Sequence, residues 1–207
     1  MRITLIGMSG IGKSHWSEKL EETGYERICC DDLISAKLAA ELGQATSTVF
    51  EMGEWMGFPY EPTYEERAAK YLSYEIEVLT EIVQKLASGQ MPANVVIDVT
   101  GSVIYVGQEL FARLRRYTTV VHLSTTPDIH QQMLQAYLAN PRPVLWQGLF
   151  QIEPGETHTQ TFERCYPRFL LFREKLYRQY SDVILDYYFH HRENLTPHEF
   201  LQAIRQA

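Results

Sequence analysis

Eight consecutive residues constrain this chain more than any others. Gly7-Met8-Ser9-Gly10-Ile11-Gly12-Lys13-Ser14 matches the pattern G-x-x-x-x-G-K-[ST] at every fixed position. An apolar run, residues 3–6, leads into it, and residues 13–22 read as a helix. A loop of this kind needs a strand to hold its start and a helix N-terminus to face an anion. Glycines let the backbone wrap tightly, so that successive N–H groups point inward at a phosphate. The helix end adds unpaired donors and partial positive charge. Gly7, Ser9, Gly10, Ile11, Gly12, Lys13, Ser14 and His15 are therefore the expected nucleotide-binding residues. Lys13 is expected to reach the β- and γ-phosphates of ATP, and the Ser14 hydroxyl to take a place on Mg²⁺. The plain structural alternative is a glycine-rich turn with a surface lysine.

The 207 residues are expected to form one domain, with the loop near its start and nothing before it. Charged residues make up 22% of the chain and the formal net charge is -7, against the basic excess of a general nucleic-acid binder. Arg113, Arg115 and Arg116 are the one basic cluster, read as a solvated helix end. No stretch reaches the roughly 18 apolar residues of a membrane span, and no secretory leader is expected. Three cysteines, two of them adjacent, do not suggest a disulfide framework, and a reducing cytoplasm fits.

Strand and helix patterns alternate along the chain. Strands are expected at residues 25–30, 94–99, 118–123 and 182–186. Helices are expected at 31–42, with Leu33, Ile34, Leu38 and Leu42 in register, and at about 47–56. A long helix to about 87 opens on a Thr63–Glu66 capping box and carries a stripe of Leu72, Ile76, Leu79, Val83 and Leu86. Further helices are expected at 107–116, 128–138, 161–180 (interrupted or started near Pro167) and 197–206. Residues 148–158 read as a mobile loop. The fold class is α/β, a parallel sheet of about five strands flanked by helices.

Asp98 ends the apolar run 95–97. A carboxylate at the carboxyl end of a buried strand is placed to hold Mg²⁺ with Ser14, or else to cap the next turn. Asp31 and Asp32 follow the second strand. One could orient an acceptor hydroxyl and take its proton, while the other stabilises the next helix N-terminus. Arg142 stands between two prolines, and Arg173 lies among apolar neighbours in a helix. Either could bind a phosphoryl group or an anionic substrate, and a solvated helix face accounts for Arg173 equally well.

At this point the chain resembles shikimate kinase and its small-molecule kinase relatives. The loop at 7–14 is similar to that family's phosphate loop. Asp31-Asp32-Leu33-Ile34 is similar to its acidic substrate segment, with Asp31 in the place of the Asp that contacts substrate hydroxyls. Phe50-Glu51-Met52-Gly53-Glu54 is similar to its Phe-x-x-x-Gly-Glu stretch. Arg142-Pro143-Val144-Leu145 is similar to its lid motif, whose Arg reaches the phosphates. Arg173-Glu174-Lys175-Leu176-Tyr177 is similar to the segment whose Arg binds the substrate carboxylate.

The resemblance implies a phosphate-loop kinase fold, a substrate segment at about 31–67 and a mobile lid at about 140–160. It implies ATP and Mg²⁺, with Lys13, Asp31 and Arg142 catalytic, Asp31, Gly101 and Arg173 on the acceptor, and Ser14 and Asp98 on the metal. The partner it implies is a small anionic phosphate acceptor, with no nucleic acid and no membrane, on a monomer or weak homodimer. The sequence also departs from the family. Cys29 stands where a first acid is expected. Thr100-Gly101-Ser102 replaces a triple glycine. Trp55 and Met56 replace a Phe-Arg pair, with Arg67 a possible substitute. A nucleoside, nucleotide or other polyol acceptor, and a non-catalytic ATP-binding regulator, remain as alternatives.

Overall fold

The computed structural model describes residues 1–43 and 48–207, so the start of the expected 47–56 helix at Ser47 lies outside the described residues. Five strands form one sheet: β1 (Arg2–Ile6), β2 (Glu26–Cys29), β3 (Val95–Asp98), β4 (Thr119–Leu123) and β5 (Val183–Leu185). Their order is β2-β3-β1-β4-β5, and every pairing is parallel. The central strands are near-continuous β-branched runs because helices cover both faces, and β3 is buried at all four positions. β1 pairs with β3 on one side and β4 on the other, so the loop that leaves it emerges at the middle of the sheet's carboxyl edge. Open α/β sheets bind ligands at that edge.

The helices are α1 (Lys13–Glu21), α2 (Cys30–Leu42), α3 (Val49–Met56), α4 (Tyr64–Ala87), α5 (Gln108–Arg115), α6 (Pro127–Ala139), α7 (His158–Tyr180), α8 (Tyr187–His190) and α9 (Pro197–Gln206). Capping boxes open three of them: Thr48 with Glu51, Thr157 with Gln160, and Thr196 with Glu199. α1 is fixed against α9, where Trp16 stacks on Phe200 at 4.0 Å and its ring N–H donates to the His190 carbonyl.

Several expectations are corrected. Thr63 makes no capping bond, because the chain is already wound there: Glu61 N–H bonds the Phe58 carbonyl and Tyr64 N–H bonds that of Glu61. Its φ of -92° and ψ of -5° are helical, whereas a side-chain cap needs an extended residue. The buried stripe of α4 is rotated in its first half. Ile76 is 39% exposed, while Tyr64, Ala68, Tyr71 and Glu75 face inward. In α2 the buried line is Cys30, Ile34 and Leu38, with Ser35 and Ala39 beside it, and Leu33 and Leu42 are exposed. α7 begins at His158 and runs unbroken through Pro167. α8 was not expected. It is one turn, capped by the Asp186 carboxylate on the Tyr188 N–H, too short to show a hydrophobic period.

Candidate active site

The loop after β1 takes its shape from glycines. Gly7, Gly10 and Gly12 have φ of 147°, 78° and 104°, a region open to glycine and strained for other residues. A Cβ on Gly7 would stand 2.7 Å from the Leu123 carbonyl oxygen of β4, so the loop can lie this close to the sheet only without one. α1 then starts at Lys13, with its N-terminus facing the cavity beyond the sheet. The Lys13 ammonium is buried and donates to the Gly7 and Met8 carbonyls at 3.1 and 3.0 Å. Burial pushes its pKa down, against the pull of Asp98 and Asp31.

Two cavities meet at this loop. The larger, about 540 Å³, runs from Ser9, Gly10 and Ile11 across to α6 and ends against Tyr187 and His191. Those two rings stack on each other at 4.0 Å. Arg142 lines this cavity and is exposed. The smaller, about 170 Å³, is bounded by Ser9, Gly10, Lys13, Ser14, Asp31 and Arg173, with Thr100, Gly101 and Ser102 beneath. Ser9, Gly10 and Val144 belong to both, so a group bound at the loop is reached from two sides.

Asp31 is carried to the smaller cavity by the first turn of α2. Burial raises its pKa, with Asp98 and Asp32 adding and Lys13 opposing. It is thus a stronger base than an exposed carboxylate and lies among the same groups as the lysine. Asp98 ends β3, opposite Leu5 and Cys29 in the ladder. Its Oδ2 lies 3.2 Å from the Ser17 hydroxyl and 3.8 Å from the Arg27 guanidinium. Arg27 Nε also donates to Ser17 at 2.9 Å. Ser17 is one turn past Ser14, so Asp98 lies deeper under α1 than a direct pairing with Ser14 requires. The residues suit a magnesium ion that arrives with nucleotide. Ser14 is exposed at the cavity, Asp98 is adjacent through Ser17, and among the described residues no group of three or more acidic, His or Cys side chains forms a dedicated metal cage. Magnesium characteristically keeps water and phosphate oxygens and takes only one or two protein ligands.

Arg173 is 3% exposed and heavily used. It donates to the Gly101 carbonyl at 2.9 Å, the Leu145 carbonyl at 3.0 Å and the Tyr105 hydroxyl at 3.3 Å, and its plane lies 4.2 Å over Phe169. A Cβ on Gly101 would meet Ser9 N at 3.2 Å and the guanidinium at 3.4 Å, so bare backbone is needed there. The segment after Arg142 is pinned in place. The Tyr64 hydroxyl donates to the Val144 carbonyl at 2.6 Å and accepts from Trp146 N–H at 2.9 Å. Trp146, 1% exposed, sits among Tyr137, Phe150, Phe162 and Phe169. Arg67 does not line either cavity. It donates to the Trp55 carbonyl at 2.6 Å, tying α4 to the end of α3. His15 is exposed and packs edge-on to Trp16.

Sequence reasoning missed Glu75, Arg27, Ser17, Tyr187 and His191. Glu75 carried a signal, an acid in the apolar face of a long helix. Arg27 and Ser17 carried none without knowledge of the strand order.

The profile of the AAA domain family matches residues 3–136. Among solved structures, the shikimate kinase from Acinetobacter baumannii in complex with shikimate is 21% identical, with a TM-score of 0.56 over 99% of this chain and 90% of that one. The shikimate kinase from Bacteroides thetaiotaomicron is 16% identical, with a TM-score of 0.57 over 100% and 95%. The dephospho-CoA kinase from Campylobacter jejuni is 12% identical, with a TM-score of 0.52 over 99% and 94%. At these identities the likeness establishes the fold, that of the phosphate-loop kinases. No curated protein matches this chain.

Proposed function

This chain belongs to the AAA domain family, and from that premise we propose that it transfers the γ-phosphoryl group of ATP to a hydroxyl of a small acceptor. One observation carries the reading: a nucleotide-sized cavity and a much smaller one share Ser9 and Gly10 of the phosphate loop, with Asp31 on the smaller side. ATP lies in the larger, with its base toward Tyr187 and His191 and Arg142 over its phosphates. The acceptor occupies the smaller.

The loop amides, the α1 N-terminus and Lys13 bear on the charge of the transferring group, which is the main task in phosphoryl transfer. Asp31 orients the acceptor hydroxyl and takes its proton as the new P–O bond forms and the bond to ADP breaks. Ser14, with Asp98 behind it, would hold a magnesium ion arriving with ATP, which would supply neutralisation of phosphate charge. Val144, Leu145 and Trp146 close the acceptor side and exclude water that would divert the phosphoryl group. An anionic acceptor, as the resemblance to shikimate kinases implies, would take the N–H groups of Arg173 that Gly101, Leu145 and Tyr105 leave free. All three cysteines are free, as suits a cytoplasmic protein, and no described helix is long and apolar enough to cross a membrane.

The test is ATP turnover with Mg²⁺, with and without a panel of acceptors including shikimate, on the wild type and Arg173→Ala. Acceptor-dependent ADP release supports the reading. ATP binding without turnover across the panel sinks it in favour of a regulatory ATP-binding protein.

A further inference from the structure

The floor of the smaller cavity is made of hydroxyls. Thr100 and Ser102 flank Gly101 after β3, and Tyr71 of α4 stands beside them. One turn along α4 from Tyr71 is Glu75, 1% exposed and not itself on the cavity wall. Its Oε1 accepts from the Thr100 hydroxyl and from the Ser102 hydroxyl, the latter at 3.2 Å. Thr100 Oγ1 also accepts from Ser102 N–H at 3.2 Å, and the two hydroxyl oxygens are 3.0 Å apart. Oε2 of Glu75 is buried and has no hydrogen-bond partner among the described residues.

This arrangement dictates what the floor offers. With their protons turned down to Glu75, Thr100 and Ser102 meet the cavity and the neighbouring Tyr71 hydroxyl as acceptors. Asp31 does the same from another wall. Both cations already hold partners on the protein, Lys13 two loop carbonyls through two of its three N–H groups and Arg173 Gly101, Leu145 and Tyr105 through three of its five. A carboxylate brings only acceptors, so it is repelled by Asp31 and the hydroxyl oxygens and gains only from the remaining N–H groups of those two cations. A hydroxyl donates as well as accepts and fits. The remaining wall, Met52, Met56, Pro143, Val144 and Leu145, is apolar and suits the C–H face of a ring. The volume, about 170 Å³, falls below the ~300–1,000 Å³ of sites for drug-sized ligands.

We propose that Ser102 and Thr100, positioned by Glu75, are the specificity-determining residues of this cavity and select an uncharged polyol of roughly monosaccharide size over a hydroxy acid. The inference rests on the phosphoryl-transfer reading above. Burial also pushes the Glu75 carboxyl up to about 8, with the Ser102 hydroxyl opposing. At neutral pH it is therefore mostly protonated, and the floor lacks the second negative charge that would favour an amine. Glu75 is a positioning residue, since it acts through the two hydroxyls.

The experiment measures ATP binding by titration, then Mg²⁺-dependent turnover with inositol, ribose and glucose against shikimate and gluconate. The wild type, Ser102→Ala, Ser102→Thr and Glu75→Gln are compared. The expected result is polyol-stimulated turnover. Ser102→Ala then raises the polyol KM about tenfold, with kcat and the ATP KM little changed. Ser102→Thr restores the polyol KM, because it keeps the hydroxyl. Glu75→Gln, which copies the protonated carboxyl, leaves the polyol KM near the wild-type value at pH 6 and removes its drift between pH 6 and 9. Turnover with the hydroxy acids in preference to the polyols overturns this inference and leaves phosphoryl transfer standing. An unchanged polyol KM in Ser102→Ala also overturns it. ATP bound with no acceptor of either class stimulating turnover overturns both. The wild-type panel decides the substrate class even if a variant fails to fold.

Discussion

The phosphate loop and the smaller cavity that it helps to line are built on opposite principles. The loop is local and made of backbone. Six residues between β1 and α1 fix its shape, and side chains matter mainly where they are absent, as at Gly7. The acceptor cavity is assembled from the loop, the first turn of α2, α3, α4, the end of β3, the segment near Val144, and α7. Its polar chemistry is mostly side chain, from Asp31, Tyr71, Thr100, Ser102 and Arg173. A backbone-built site constrains the chemistry it serves, because any nucleoside triphosphate presents the same phosphates. A side-chain-built site on the same scaffold can change its ligand by a few substitutions.

The sharpest way to break that contrast is Lys13→Ala, which removes the ammonium held at the Gly7 and Met8 carbonyls. Phosphoryl transfer is expected to fall by about 10³-fold or more, with the far-ultraviolet CD spectrum intact. Wild-type turnover in this variant would remove the loop from the mechanism.

Next in size is the pH dependence of stability from the acceptor side. The folded Glu75 carboxyl titrates near 8, against an ordinary 4.5. Between these values the folded chain holds the proton more tightly than the unfolded one, so stability is fullest below about 4.5 and declines as pH rises through 8. The loss is on the order of a few kcal/mol, and Glu75→Gln is expected to abolish most of it. Urea titrations at pH 5 and pH 8.5 measure this. Equal declines in both proteins would assign the loss to another group.

Tyr64→Phe tests the clamp on the segment at Val144, which lines both cavities. It strips a buried partner from Trp146 N–H and is expected to lower stability by about 2 kcal/mol while raising basal ATP hydrolysis, as water gains access. A fall in stability with no rise in hydrolysis would make the clamp purely structural. The smallest effect expected is that of Gly101→Ala. Its new methyl meets Ser9 N at 3.2 Å, where loop and cavity touch. About tenfold in kcat/KM is expected, roughly 1.4 kcal/mol, shared between ATP and acceptor. A loss confined to one substrate would show that the shared wall is not shared in function.

The same contrast explains what was legible in the sequence. The loop, the α/β class and the five strands could be read because each depends on neighbours in the chain. Thr63 and Glu66 had the spacing of a capping box, and local pattern could not show that the preceding turn had already consumed that position. The stripe of α4 differs in its first turns because tyrosines and a glutamate there face inward, and a hydrophobic count discards them. The Asp98–Ser17–Arg27 contact depends on β2 lying beside β3, a fact of strand order. Arg173 was located by its motif, while its commitments to Gly101 and Leu145 join segments 72 and 28 residues away.

The bonds from Lys13 to the Gly7 and Met8 carbonyls have a thermodynamic consequence. Two of the three ammonium N–H groups close on loop carbonyls, so the backbone that carries the lysine also holds its charge in place. The conformational entropy of that side chain is thereby lost largely on folding and not on binding. An anion that meets the ammonium there has less ordering to oppose it, and the cost falls on the stability of the fold instead.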